Sequence, residues 1–156
     1  MLLGTLYPLI IDALGLGKLS VGPPYFNSVY VTIMLPVVFL LAAVPLAKWK
    51  NTDLQEIALR LWIPGVLAIV AGALIPWAMG GWTFMTAMGS ALTVWIVASG
   101  ILQIALRLKS GMPPLSFWGM HLGHIGIAVF VFGVTMVGGF QEEQDVKMGP
   151  GDTVKV

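Results

Sequence analysis

The fold is decided by residues 61–106, which read LWIPGVLAIVAGALIPWAMGGWTFMTAMGSALTVWIVASGILQIAL. This run of 46 residues contains no charged side chain. As one helix it would extend about 69 Å at 1.5 Å per residue, more than twice the roughly 30 Å hydrocarbon core of a bilayer. It must therefore fold back once, and the break signals lie at Pro76-Trp77 and Gly80-Gly81-Trp82.

Two further stretches are long enough to cross a membrane. Residues 19–47 carry no charged side chain, and residues 110–141 contain no Asp, Glu, Lys or Arg. Because a spanning helix needs about 20 apolar residues, the sequence predicts four complete spans, near residues 28–47, 60–78, 83–107 and 116–138. Residues 1–13 are apolar but too short to span, and they are typical of the end of a helix whose beginning is missing.

The composition excludes several classes of protein. Of the 156 residues, 58% are hydrophobic and 10% are charged, and the mean hydropathy is +0.92. A soluble domain averages about 25% charged residues, so a soluble enzyme is excluded, as is intrinsic disorder. The net charge of +1 gives no footprint for nucleic acid, and the absence of cysteine excludes disulfides and thiolate metal sites. We therefore predict an all-α integral membrane protein, a polytopic helix bundle with an N-terminal helix remnant, and interpret it as a fragment of a larger protein.

The basic residues predict the orientation of the helices. Five of them lie in the segments 48–60 and 107–115, whereas the short loops on the other side hold Lys18 alone. By the positive-inside rule, these two segments face the cytoplasm of a bacterial inner membrane. The loop 14–27 and the tail 140–156 then face the periplasm. The tail turns polar and ends in alternation typical of a strand, so we expect it to begin a periplasmic domain.

His121 and His124 are the candidate chemical residues inside the spans. An ionisable residue at this depth is a functional candidate, although a histidine hydrogen-bonded to a neighbouring helix is the alternative. The two residues stand at i and i+3, so their side chains project about 60° apart on one helix. One helix therefore cannot supply both axial ligands of a haem, and no carboxylate or cysteine lies near to complete another metal site.

Small residues and an aromatic loop supply two weaker candidates. Gly119 and Gly123 form a GxxxG pair, to which Gly126 adds a third small position, so a neighbouring helix or a flat macrocycle can come close. Plain helix packing is the favoured interpretation. The second candidate is a segment stiffened by two prolines, which is either a rigid interfacial turn or a wall for a flat ligand or partner peptide: Gly22, Pro23, Pro24, Tyr25, Phe26 and Asn27.

Three motifs carry a resemblance to a known family. Residues 3–9 (LGTLYPL) and 18–27 (KLSVGPPYFN) resemble CcmF, the haem lyase subunit of bacterial cytochrome c maturation. Residues 118–126 (WGMHLGHIG) are similar to the late helix of that family, which reads roughly WGM-x-L-A/G-H-x-G. The resemblance covers essentially the whole chain and implies the later-middle part of a large multi-spanning membrane protein.

The resemblance also implies a cofactor and partners. Family members take haem from a periplasmic haem chaperone and attach it to apocytochrome c, working with other maturation subunits. They hold a separate haem b in the membrane between two histidines. The motif position implies that His124 is one axial ligand of that haem iron, with Gly123 and Gly126 allowing close approach and the second ligand on a helix absent here. His121 falls at the variable position of the motif and receives no role.

Several alternatives stay open at this point. The tryptophan-rich haem-handling motif of the family and its periplasmic histidines are absent, so we assign no catalytic residue and leave open whether this segment is itself an enzyme. A structural membrane subunit is one alternative function, and a segment of a transporter for haem or another small molecule is the other. The spans contain no charge, which argues against ion coupling.

Overall fold

The computed structural model describes residues 2–17, 22–46 and 54–141. Within these ranges the chain is helical and contains no strand, which confirms the all-α prediction. The helices are α1 (Leu2–Ala13), α2 (Pro23–Leu41), α3 (Leu54–Ala78), α4 (Phe84–Leu108) and α5 (Leu115–Phe140). A short 3₁₀ turn, Val44–Leu46, follows α2.

Four of these helices are long and apolar enough to cross a membrane, which confirms the predicted number of spans. The qualifying segments are Ser28–Leu46, Gln55–Ala78, Phe84–Leu108 and Leu115–Phe140. Their outward faces are covered with exposed large apolar side chains such as Ile69, Leu122 and Phe130, as a lipid-facing surface requires. The first helix, α1, has 12 residues and extends about 18 Å, too little to span.

Two predicted loops are partly helical. Gly22 caps α2 in an extended conformation, and residues 23–27 form the first turns of that helix instead of a loop. Proline favours this place because the first helical turn leaves its N–H groups unpaired and proline has none. Similarly, residues 54–60 belong to α3, where Glu56 and Arg60 form an i,i+4 ion pair. The predicted strand start at the C-terminus lies outside the described residues.

The reversal between α3 and α4 uses glycine and threonine. Pro76 and Trp77 lie inside α3, and the chain turns at Gly80, whose φ of 75° is accessible mainly to glycine. Thr83 then caps α4 by accepting a hydrogen bond from the backbone N–H of Thr86, whose hydroxyl in turn accepts one from the backbone N–H of Thr83. The fold-back required by the 46-residue run is therefore built at its second break signal.

The central helix of the bundle is α4, which packs against both α3 and α5. A Cβ at Gly72 of α3 would lie 2.8 Å from the carbonyl oxygen of Ala87, so the two helices approach at backbone distance. On the other side, Gly89 of α4 faces the side chain of Thr135 on α5. In lipid there is no hydrophobic driving force between helices. Close packing at small residues stabilises the contacts of α4 instead.

Two side chains of α4 hold the end of α2. The indole Nε1 of Trp95 donates to the carbonyl oxygen of Phe39 at 2.9 Å, and the amide of Gln103 donates to that of Ala42 at 3.1 Å. The ring of Trp95 also stacks on Phe39 at a centroid distance of 5.4 Å. Where α2 ends, Ala43 N–H bonds to the carbonyl of Leu40 instead of that of Phe39, and Leu46 N–H bonds to that of Ala43 instead of that of Ala42. Unpaired carbonyls are costly in hydrocarbon, so α4 satisfies them.

Candidate functional site

The two histidines lie side by side on α5. This helix begins after Pro114, so His124 stands about 13 Å along it from Leu115. The ring centroids of His121 and His124 are 6.3 Å apart and their planes differ by 28°. The structure therefore places both rings close together and nearly parallel on one helix.

Each histidine is tethered to the carbonyl of the preceding turn. The Nδ1 of His124 lies 2.8 Å from the carbonyl oxygen of Met120, and the Nδ1 of His121 lies 3.0 Å from that of Phe117. A carbonyl oxygen can only accept a hydrogen bond, so in each neutral ring Nδ1 carries the proton and donates it. The lone pair is consequently at Nε2 in both histidines.

Both Nε2 atoms are buried and have no hydrogen-bond partner among the described residues. Buried polar side-chain atoms are nearly always paired, so two orphaned lone pairs on one helix require an explanation. An imidazole whose Nδ1–H is held by a backbone carbonyl and whose Nε2 is free has the arrangement of a metal-ligating histidine. Either Nε2 therefore has the donor chemistry that a haem iron requires.

His121 is more deeply buried than His124. Its side chain is 4% exposed, and its ring contacts the ring of Phe117 at a centroid distance of 4.2 Å. It faces α4 at Gly100, where a Cβ would lie 3.7 Å from Cδ2 of His121. The sequence gives no signal for this burial, because it depends on how α5 is rotated against α4.

The glycines of α5 lie on a different face from His124. At about 100° per residue, Gly123 is a quarter turn from His124 and Gly126 lies about 160° around the axis. A Cβ at Gly119, Gly123 or Gly126 would meet no described atom within 4 Å. Within the described residues, therefore, these glycines neither pack against a helix nor join the histidine face. The close α4–α5 approach is made instead at Gly89.

The segment from Gly22 to Asn27 lies at the other end of the bundle. Phe39 of α2 contacts Trp95 in the middle of α4, and Ala42, just after α2, contacts Gln103, near the end of α4 from which α5 starts. The beginning of α2 is therefore at the opposite membrane face from the start of α5. Gly22 and Tyr25 are half-buried there. The structure does not bring this segment to His124.

An apolar groove lies between α2, α4 and α5. Its volume is about 480 Å³, within the range of small-molecule sites. Met34 of α2, Leu92 of α4 and Val131 and Thr135 of α5 are among its lining residues. Val131 stands seven residues after His124 and so lies on nearly the same face of α5, two turns nearer the helix end. The sequence alone did not predict this groove.

These features define a class: an α-helical, multi-pass membrane protein with two tethered histidines whose Nε2 atoms are buried. Comparison with known proteins is more specific. The chain is 36% identical over 157 residues to the cytochrome c-type biogenesis protein CcmF of Escherichia coli (strain K12), a match covering 99% of this chain and 24% of that protein. It is 35% identical over 170 residues to CcmF of Pseudomonas fluorescens, covering 98% and 24%. The predicted resemblance to CcmF is thus confirmed.

The similarity extends to proteins with a related name. The cytochrome c-type biogenesis protein NrfE of Haemophilus influenzae (strain ATCC 51907 / DSM 11121 / KW20 / Rd) is 29% identical over 148 residues, covering 95% of this chain and 23% of that protein. The chain therefore spans about a quarter of the length of the curated relatives it matches. No family model matches the chain, and no solved structure matches it.

Proposed function

We propose that this chain works in cytochrome c maturation as part of a longer membrane protein that attaches haem covalently to apocytochrome c. In that protein α5 supplies His124 as one axial ligand of a haem b held in the membrane. The names of the relatives support the first part of the proposal. The second part is supported by the residues of α5 themselves.

One observation supports haem ligation: the buried, unpartnered Nε2 of His124. Because Nε2 of His121 is equally unpartnered, it is the position of His124 in the WGM-x-L-A/G-H-x-G motif that selects it as the ligand. The carbonyl of Met120 holds the proton on Nδ1 at 2.8 Å, which keeps the Nε2 lone pair free and fixes the plane of the ring. When bound, haem supplies one-electron redox chemistry. A second histidine ligand, as the resemblance implies, has to come from outside this chain, because His121 projects from the same helix and no other histidine occurs.

The proposed partners follow from the similarity to CcmF. The haem chaperone and apocytochrome c would meet the complete protein at its periplasmic face, where α2 begins with residues 22–27, and other maturation subunits would contact it as well. The segments 48–60 and 107–115 lie at the cytoplasmic face of the inner membrane in this proposal. No described residue of this segment is assigned to thioether formation. Its contribution is scaffold and ligand.

The test removes the ligand from the complete protein. We expect His124→Ala to abolish the b-type band in the reduced-minus-oxidised spectrum and to lower the haem content per polypeptide several-fold. Val129→Ala is the matched control, because Val129 lies on α5 with its side chain exposed. An unchanged spectrum in a folded His124→Ala protein would show that His124 is packing and that the segment is a structural subunit.

A further inference from the structure

We propose that His121 acts as a fixed dipole that lowers the reduction potential of the haem held by His124. This inference rests on the proposed function, because it requires a haem iron at Nε2 of His124. It concerns a residue to which the sequence motif gives no role. The role is that of a positioning and tuning residue, with no contact to the reacting atoms.

The polarity of the dipole follows from the tether. Because Nδ1 of His121 donates to the carbonyl of Phe117 at 3.0 Å, the proton-bearing edge of the ring faces that carbonyl and the lone-pair edge is Nε2. This Nε2 is buried without a partner among the described residues. Among the described residues no donor therefore neutralises its negative end, and the low dielectric around a buried ring leaves it poorly screened.

The direction of the dipole follows from the geometry of the pair. Both rings are tethered to the carbonyl four residues earlier on the same helix, and their planes differ by 28°. The two Nε2 atoms therefore point away from their tethers in the same sense, on adjoining faces of α5. The negative end of His121 thus lies on the side from which the lone pair of His124 emerges, with 6.3 Å between the ring centroids.

No charged side chain of the neighbouring helices α4 and α5, apart from Arg107 near the end of α4, adds to the electrostatic potential of this dipole. Residues 61–106, which include almost all of α4, contain no charged side chain, and α5 contains no Asp, Glu, Lys or Arg. A negative potential at the iron stabilises its oxidised, more positive state over its reduced state. Removing the lone pair of His121 should consequently raise the reduction potential.

The experiment is a spectroelectrochemical redox titration of the complete protein. In His121→Phe the ring is kept and the lone pair is lost, so we expect the haem to stay bound and its potential to shift upward. His121→Gln returns an acceptor oxygen at about the reach of Nε2, and its potential should move back towards that of the parent protein. Thr135→Val is the control, because it removes a buried-face hydroxyl of α5 about 16 Å from His124 and should leave the potential unchanged.

Other outcomes would overturn the inference. Haem retained at unchanged potential in His121→Phe would do so, as would an equal upward shift in His121→Gln, which would indicate altered packing. If His121→Phe does not accumulate, His121→Asn serves instead, since its shorter amide does not reach the position of Nε2. A complete protein without any b-type haem would refute the proposed function itself. If the His121 variants lose the haem and His124→Ala retains it, His121 is the ligand and the tuning role is refuted.

Discussion

At the scale of single residues, the backbone of α5 determines what its histidines can do. Met120 and Phe117 each present a carbonyl oxygen to an Nδ1 one turn later, which places both lone pairs at Nε2. A helix whose internal hydrogen bonds are complete can still use the second lone pair of a carbonyl in this way. The histidine pair is thus preorganised by local structure, and no neighbouring helix is needed to orient it.

Gly89 and Gly126 both lie inside transmembrane helices, but their surroundings differ. A Cβ at Gly89 would collide with the side chain of Thr135, whereas a Cβ at Gly126 would meet no described atom within 4 Å. We therefore expect Gly89→Ala to force α4 and α5 apart and to lower the stability by about 1–3 kcal/mol, the cost of overpacking. Gly126→Ala should be neutral or slightly stabilising, since alanine is the better helix former.

The measurement for this pair is thermal unfolding of the two purified variants in detergent, followed by near-ultraviolet circular dichroism. A Gly89→Ala protein that melts with the parent would show that α4 and α5 do not approach at this point. An equally large loss in Gly126→Ala would show that the open face of α5 is covered in the complete protein. Both variants replace a helical glycine by alanine, so the difference between their stabilities reports packing alone.

At the scale of elements, α2 depends on two hydrogen bonds from α4. In Trp95→Phe the aromatic stack on Phe39 can persist, but the donor to its carbonyl is lost. Leaving that carbonyl unpaired in hydrocarbon should cost about 1–3 kcal/mol and loosen the end of α2. Trp118→Phe is the control, because Trp118 is 39% exposed at the start of α5. Limited proteolysis at the end of α2 should cut Trp95→Phe faster than the parent protein and Trp118→Phe at the parent rate. Equal rates for both variants would show that the Trp95 hydrogen bond does not hold the end of α2.

The elements also show which features the sequence can predict. Charge-free runs locate the four spans because hydrocarbon excludes charge and each span must be about 20 residues long. Charge-free runs do not predict that α2 starts at Pro23 and α3 at Leu54. The first turns of these helices contain polar residues or proline and lie at the water interface, where charge is not excluded. The rotation of α5, which buries His121 and leaves Gly126 open, is set by contacts such as Gly89 with Thr135 and cannot be read from one helix.

At the scale of the whole molecule, the distribution of charge and the helix order predict one topology that can be tested. The four spans alternate in direction, so the turn at Gly80 and the turn at Gly111 lie on opposite faces. By the positive-inside rule, the basic segments predict that the Gly111 side faces the cytoplasm. Since this chain contains no cysteine, single cysteines introduced at Met79 and Ser110, both exposed, can report their side independently in a complete protein freed of other cysteines.

We expect Met79→Cys to react with a membrane-impermeant maleimide in intact spheroplasts and Ser110→Cys to react only after permeabilisation. The reverse pattern would invert the topology and place the beginning of α2 in the cytoplasm, away from any periplasmic haem chaperone or apocytochrome. It would leave the His124 assignment untouched, because a ligand about 13 Å inside the helix is enclosed by hydrocarbon from either side. Sidedness and haem ligation are therefore separate properties of this chain, and each can fail without the other.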